Sequence, residues 1–228
     1  MKSPSDAGHG TKRERTRDDL LVSTQILLRE YNAAELRIRQ ITDHAGLVHA
    51  SFYNYYPDVT ALITDLGELL GATHAAAMAQ VVSASDSPSK RFARVTRETL
   101  WGVAQQPFFG RLMFDVGLPI QWLVGDLRRD LHCDIEQGVT LGIFDVTDIE
   151  LAVSLVSGVI HGVALDIHRG VFPTAKIDAA TERLLIGLGV EAAEAARLAF
   201  APLTPLPRTE LPMRWLALPT APLSSIGN

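Results

Sequence analysis

Asp126, Asp130 and Asp134 follow one another at intervals of four, with His132 and Cys133 between the last two, and these are residue types that ligate divalent cations. On a helix that spacing puts the three carboxylates on one face. A bound metal would need further donors converging from other helices, so the pattern predicts a solvated acidic stripe and no metal site. His161 and His168 lie on one side of an apolar stretch and read as core or rim histidines; His161, among valines and glycines, is the one placed to face a pocket. Trp101, Phe108, Phe109, Met113, Phe114 and Trp122 crowd one part of the chain and read first as core. The chain carries no Ser/His/Asp, Cys/His or paired-carboxylate arrangement on a recognisable scaffold, and no glycine-rich phosphate loop. No enzymatic activity and no cofactor are expected from it.

The elements that must position these residues belong to a chain of 228 residues, 47% hydrophobic and 21% charged, with a net charge of −5. Such a composition excludes disorder along the whole chain and supports a real core. Cys133 is the single cysteine, so no internal disulfide forms, as suits a reducing cytoplasm. The start is polar and unlike a signal peptide, and the most apolar stretch, Leu151 to Leu165, is broken by Ser154, Ser157 and His161. A cytoplasmic protein with no membrane span is expected. Residues 1–60 balance eight Lys/Arg with eight acids and leave the whole negative charge to the remainder. Within them, residues 2–17 set five basic residues against Asp6 and Glu14, a short arm that reads either as a solvated tail or as an element that follows a phosphate backbone.

Hydrophobic spacing predicts helices throughout and no strand. Leu20, Leu21, Thr24, Leu27, Leu28 and Tyr31 mark a first helix from Arg13, with Asn32 as the left-handed residue that closes it. A short second helix spans about 38–45, and Gly46 breaks it. His49 to Tyr56 then form a third, with Phe52 and Tyr56 on its inner face and Pro57 as its stop. The order is helix, three-residue turn, helix. Asp58 caps a longer helix, about 58–83, and Ser87 with Pro88 opens another, about 88–106. Further helices are expected near 107–115 and 119–142, then 148–169 with Thr147 and Glu150 as its capping box, then 176–188 and 191–200. Helix 148–169 is apolar nearly all round: Val153, Val156 and Ile160 recur on one side, and Leu151, Leu155, Gly158 and Gly162 on the other. A helix of that kind has to be covered on two sides. Residues 202–228 hold six of the twelve prolines and read as an extended tail, anchored by Trp215 and Leu216.

Thr16-Arg17-Asp18 through Leu62 resembles the DNA-binding domain of the TetR family of bacterial transcription regulators. Ile38 to Leu47 stand as its second helix and turn, and Ala50-Ser51-Phe52-Tyr53-Asn54-Tyr55-Tyr56-Pro57 as its recognition helix and stop. The family's usual lysine two residues after the proline is Val59 here, and Arg37 supplies charge nearby. The resemblance implies an all-α fold: a basic arm (1–11), a helix-turn-helix domain (12–59), a helical regulatory and dimerisation domain (60–201) and the proline-rich tail (202–228).

It further implies a repressor that binds a pseudo-palindromic operator as a homodimer and is released by a small, mostly apolar inducer. The major groove admits one helix, whose outward side chains meet base edges. With Phe52 and Tyr56 inward, the outward set is His49, Ala50, Ser51, Tyr53 and Asn54. Ser51 and Asn54 are assigned nearer to bases, Tyr53 and Tyr55 chiefly to phosphates, and Arg37 and Arg39 to the DNA beside them. The dimer is expected to close through helices 148–169 and 176–188. The inducer cavity is expected behind helix 58–83, with Met78, Trp101, Phe109, Met113, Trp122 and His161 in its wall and no buried arginine or lysine. The competing reading is an all-helical small-molecule-binding protein or enzyme without a DNA-binding role.

Overall fold

Residues 10–81, 87–118, 121–204 and 206–218 are described in the computed structural model of the chain, with 121–127 described as backbone alone. Every regular element among them is helical: α1 (Lys12–Leu27), α2 (Ile38–His44), a 3₁₀ helix His49–Asn54, α3 (Val59–Val81), α4 (Pro88–Gln105), α5 (Pro107–Phe114), α6 (Gln121–Thr140), α7 (Ile149–His168), α8 (Lys176–Gly187) and α9 (Ala192–Ala199). Short 3₁₀ turns at Ala33–Glu35 and Trp215–Ala217 complete the set.

The boundaries follow local capping chemistry. Thr11 accepts from the Glu14 amide at 3.2 Å while the Glu14 carboxylate accepts from the Thr11 amide at 2.6 Å, a closed capping box at the start of α1. Asp58 accepts from the Ala61 amide at the start of α3, and Ser87 accepts from Lys90 with Pro88 in the first turn of α4, as expected. Two expected caps are corrected. Asn32 is extended, with φ −91°, and precedes the turn Ala33–Glu35, whose Glu35 carboxylate accepts from the Asn32 amide; α1 has already ended at Leu27. Thr147 does not cap α7; Asp148 does, accepting from the Leu151 amide at 2.9 Å, because a carboxylate is the stronger acceptor at a helix N-terminus.

Leu20 and Leu21 of α1, Leu28 at its C-cap, Ile41 of α2, Phe52, and Leu62 and Leu66 of α3 are fully buried and form one end of a continuous core. α3 runs from there into the larger bundle, where it packs on α4 and α6, while α7 lies against α4, α6 and α8. α7 has the length and apolarity of a membrane-crossing helix, but Val153, Val156, Ile160, Ala164 and Ile167 are buried in this bundle. Its other side, with Leu151, Leu155 and Val159 at 55%, 61% and 44% exposure, is uncovered in the single chain. The tail returns from α9 across the molecule to α1: Met213 is buried, and Gln25 both donates to and accepts from its backbone, at 2.9 and 2.8 Å.

Candidate nucleic-acid interface and ligand cavity

Between α2 and Pro57 the chain has room for about two turns, and it forms a 3₁₀ helix, the tighter form common in short connecting pieces. Gly46, at φ +67°, makes the preceding turn, where a side chain would be strained. Phe52 is fully buried and Tyr56 nearly so, their rings 5.8 Å apart. The Tyr56 hydroxyl donates to Asp65 of α3. Burial first, and then the adjoining carboxylate, push that hydroxyl far above its usual range, so it remains a donor. Asp65 also takes Arg17 of α1 as a bidentate partner and the Trp215 indole at 3.2 Å. One buried carboxylate thus ties the end of the 3₁₀ helix, α1 and the tail to the first turns of α3.

This anchoring turns the opposite side outward. Tyr53 is 55% exposed, with its ring edge-on to His49 at 5.7 Å, and Ala50 and Asn54 are exposed beside it, with Ser51 half-buried. Tyr55 is half-buried against the core. Arg39 projects from α2 and meets Asp43 only loosely, at 3.6 Å. Arg37 is exposed, but its guanidinium turns back to the carbonyls of Ala34 and Leu36 at 3.1 and 3.2 Å.

In the bundle, α3, α4, α6 and α7 enclose a cavity of about 450 Å³. Met78, Phe92, Val95, Leu131 and Ile160 make an apolar wall. At one end Arg91 donates to Asp134 at 2.7 Å and to Gln137. Burial pushes the Asp134 carboxyl up, and Arg91 offsets that in part. Along the other wall His74 and Thr99 are 3.3 Å apart. Enclosure pushes His74 down to about 4, so the imidazole is neutral at physiological pH. A smaller lobe adjoins it, lined by Phe109, Met113, Arg128 and His161. There Arg128 donates to Ser157 and Ser154 at 3.2 and 3.1 Å, and the ring of His161 lies 5.1 Å from that of Phe114.

Of the residues expected to line a cavity, Met78 is in the main chamber and Phe109, Met113 and His161 are in the lobe. Trp101 stands in an outer cleft beside Leu206 and Pro207 of the tail. The Trp122 side chain lies outside the described residues. The expectation of a wall without buried arginine or lysine is corrected in part: Arg91 and Arg128, both half-buried, line the chamber and the lobe, with Arg91 already paired with Asp134. The acidic stripe is corrected with it: Asp134 is half-buried in an ion pair, because its partner comes from a helix 43 residues earlier. Asp126 lies outside the described side chains, and no cluster of three metal-ligating residues occurs among the described ones. His74, Thr99 and Ser157 also line the main chamber and were not expected there; of these His74 had a legible signal, as a polar residue between Gly71, Ala75 and Met78 on an apolar helix face.

No protein-family model and no curated protein matches the chain. Among solved structures, RolR in complex with resorcinol is 27% identical, with a TM-score of 0.68 over 85% of this chain and 97% of that one. SmeT, the repressor of the Stenotrophomonas maltophilia multidrug efflux pump SmeDEF, is 16% identical, with a TM-score of 0.64 over 86% of this chain and 100% of its own. A TetR family protein from Vibrio parahaemolyticus is 20% identical, with a TM-score of 0.57 over 72% of this chain and 96% of its own. The chain thus shares the fold of these proteins, one of them of the TetR family that residues 16–62 resemble.

Proposed function

We propose that the chain is a homodimeric, ligand-responsive repressor that reads a pseudo-palindromic operator and has no enzymatic role. The observation that carries this reading is the double use of α3. Its Asp65 holds the reading helix through Tyr56, and nine residues later its His74 stands in the cavity wall. A ligand that displaces α3 therefore acts on the element that aims the head, which is what release of DNA requires.

In this reading residues 12–59 form the DNA-binding domain and 60–201 the regulatory one, with the basic residues of the arm adding sequence-independent affinity. His49, Ala50, Ser51, Tyr53 and Asn54 face the major groove, while Arg39 and Tyr55 contact the DNA beside it. Arg37 joins them by exchanging its loop carbonyls for a phosphate. The dimer closes through the exposed face of α7 with α8. There a side chain at Gly158 or Gly162 would meet nothing within 4 Å in the single chain, leaving room for a partner helix. The protein works in the cytoplasm, and α7 is covered by its partner and not by lipid.

The cavity favours a compact, uncharged ligand with hydroxyl groups. Its walls are apolar, Arg91 is already neutralised by Asp134, and His74, Thr99 and Gln137 offer neutral hydrogen bonds. RolR, with its bound resorcinol, supports a small hydroxylated aromatic. The test is a gel shift with the DNA upstream of the protein's own gene, followed by a thermal-shift screen of neutral hydroxylated aromatics that includes resorcinol. A retarded complex that such a compound dissolves is expected. Absence of any retardation at micromolar protein, or hits confined to anions, would overturn the reading.

A further inference from the structure

We propose that residues 206–218 are a strap by which the regulatory domain holds the DNA-reading head, giving α1 a link to the ligand cavity that does not run along α3. Its use in regulation rests on the repressor reading above; its mechanical role does not.

The strap is moored at both ends by side chains buried for that purpose. On α4, the buried Glu98 accepts from the Leu206 amide at 2.9 Å, and Gln106, just past its end, donates to the Thr209 carbonyl. Just upstream, the buried Arg97 donates to the Ala201 carbonyl at 2.8 Å. At the other end Gln25 of α1, fully buried, engages both the N–H and the carbonyl of Met213. Asp18 of α1, 1% exposed, accepts from the amides of Trp215 and Leu216, each at 3.1 Å. Arg214 pairs with Asp19 at 3.0 Å, and the Arg17 guanidinium lies 5.3 Å from the centre of the Trp215 ring, whose N–H reaches Asp65.

Buried polar groups without partners are unfavourable, and a carboxylate most of all. Covering Asp18 and Gln25 removes their water, and the four backbone bonds they make to Met213, Trp215 and Leu216 replace it, so only a strap in this register can seat without orphaning them. Glu98 neighbours Thr99, which faces the cavity, so α4 carries the mooring and a cavity wall within one turn. Any ligand that shifts α4 against α3 also pulls on α1 through the strap. Tyr53 and Arg39 stay exposed while it is seated, so the strap steadies the head without covering its reading face.

The test compares the full chain with one ending at Thr204 and with Trp215→Ala, by amide hydrogen exchange and by affinity for a duplex that the full chain selects from a random pool. Exchange across Lys12–Leu27 is expected to rise about tenfold on truncation and severalfold in Trp215→Ala, with α7 and α8 unchanged. Affinity for the duplex is expected to fall about tenfold, because a freely moving head loses its preorganisation. If the truncated chain does not fold, Trp215→Ala and Gln25→Met are judged by the same measures. Unchanged exchange in α1, a rise spread evenly over the whole chain, or faster α1 exchange with unaltered DNA affinity would each overturn the proposal. A full chain that selects no duplex would defeat the repressor reading instead, and exchange alone would then decide the strap.

Discussion

The Arg111 guanidinium, on α5, donates through Nε to the carbonyl of Leu28, the residue that caps α1, at 2.9 Å. It closes a helix end that would otherwise leave that carbonyl unpaired. A backbone bond from the Ala33 amide to the Val116 carbonyl, at 2.8 Å, lies beside it, and the Arg29 guanidinium sits 4.6 Å from the centre of the Phe108 ring. The far end of α5 is fixed to α7, where His168 meets Asp115 at 2.8 Å. The lobe of the cavity that holds Phe109 and Met113 thus borders an element bolted to the end of α1.

Replacing Arg111 by alanine should lower stability by about 1 kcal/mol, the net worth of a partly exposed charge-assisted bond. Arg111→Lys should not restore it, since an ammonium lacks the second arm that reaches towards Tyr31. Urea titration of the three proteins decides it, and equal midpoints would remove α5 from the coupling.

Phe52 and Tyr53 are neighbours with opposite duties. Phe52→Ala should cost roughly 3–5 kcal/mol of stability, the usual result of truncating a fully buried aromatic. Tyr53→Ala and Arg39→Ala should leave the melting temperature within a few degrees and weaken operator binding by about 1–3 kcal/mol. Normal operator binding by both folded variants would mean that the reading face lies elsewhere.

His74 makes stability depend on pH. Its folded-state value is lowered from 6.5 to about 4, so between those limits the unfolded chain binds a proton that the folded chain refuses. Stability contributed by the neutral ring is complete above about pH 6.5 and declines as pH falls towards 4, by up to about 3 kcal/mol. In His74→Gln that part of the slope should vanish. Denaturation curves at pH 7.5, 6 and 5 measure it, and identical slopes for parent and variant would contradict the neutral histidine of the cavity wall.

Leu155, 61% exposed at the middle of α7, should be covered in the dimer. Leu155→Arg is expected to give a monomer that keeps its helicity, while a surface change such as Glu136→Ala leaves the dimer intact. Sedimentation equilibrium at micromolar concentration distinguishes them. A parent chain that is already monomeric would sink the interface.

Local chemistry alone determined much of this protein. Alternating three- and four-residue spacing placed the helices, and Ser87-Pro88 and Asp58 marked where two of them start, because a cap needs only a donor three residues away. The inward pairing of Phe52 with Tyr56 was legible for the same reason: one helix turn separates them, so the face of one dictates the face of the other. At Asn32 and Thr147 two local signals compete within a residue or two, and sequence does not rank them; the chain settled them through Glu35 and Asp148. Inward arginines were illegible in principle. Arg91 reads as a solvated charge until Asp134 is brought beside it, and Asp18 and Gln25 read as the polar face of α1 until the tail returns to cover them. Burial of a charge is decided by its partner. When that partner is 43 or nearly 200 residues away, only the folded chain brings the two together.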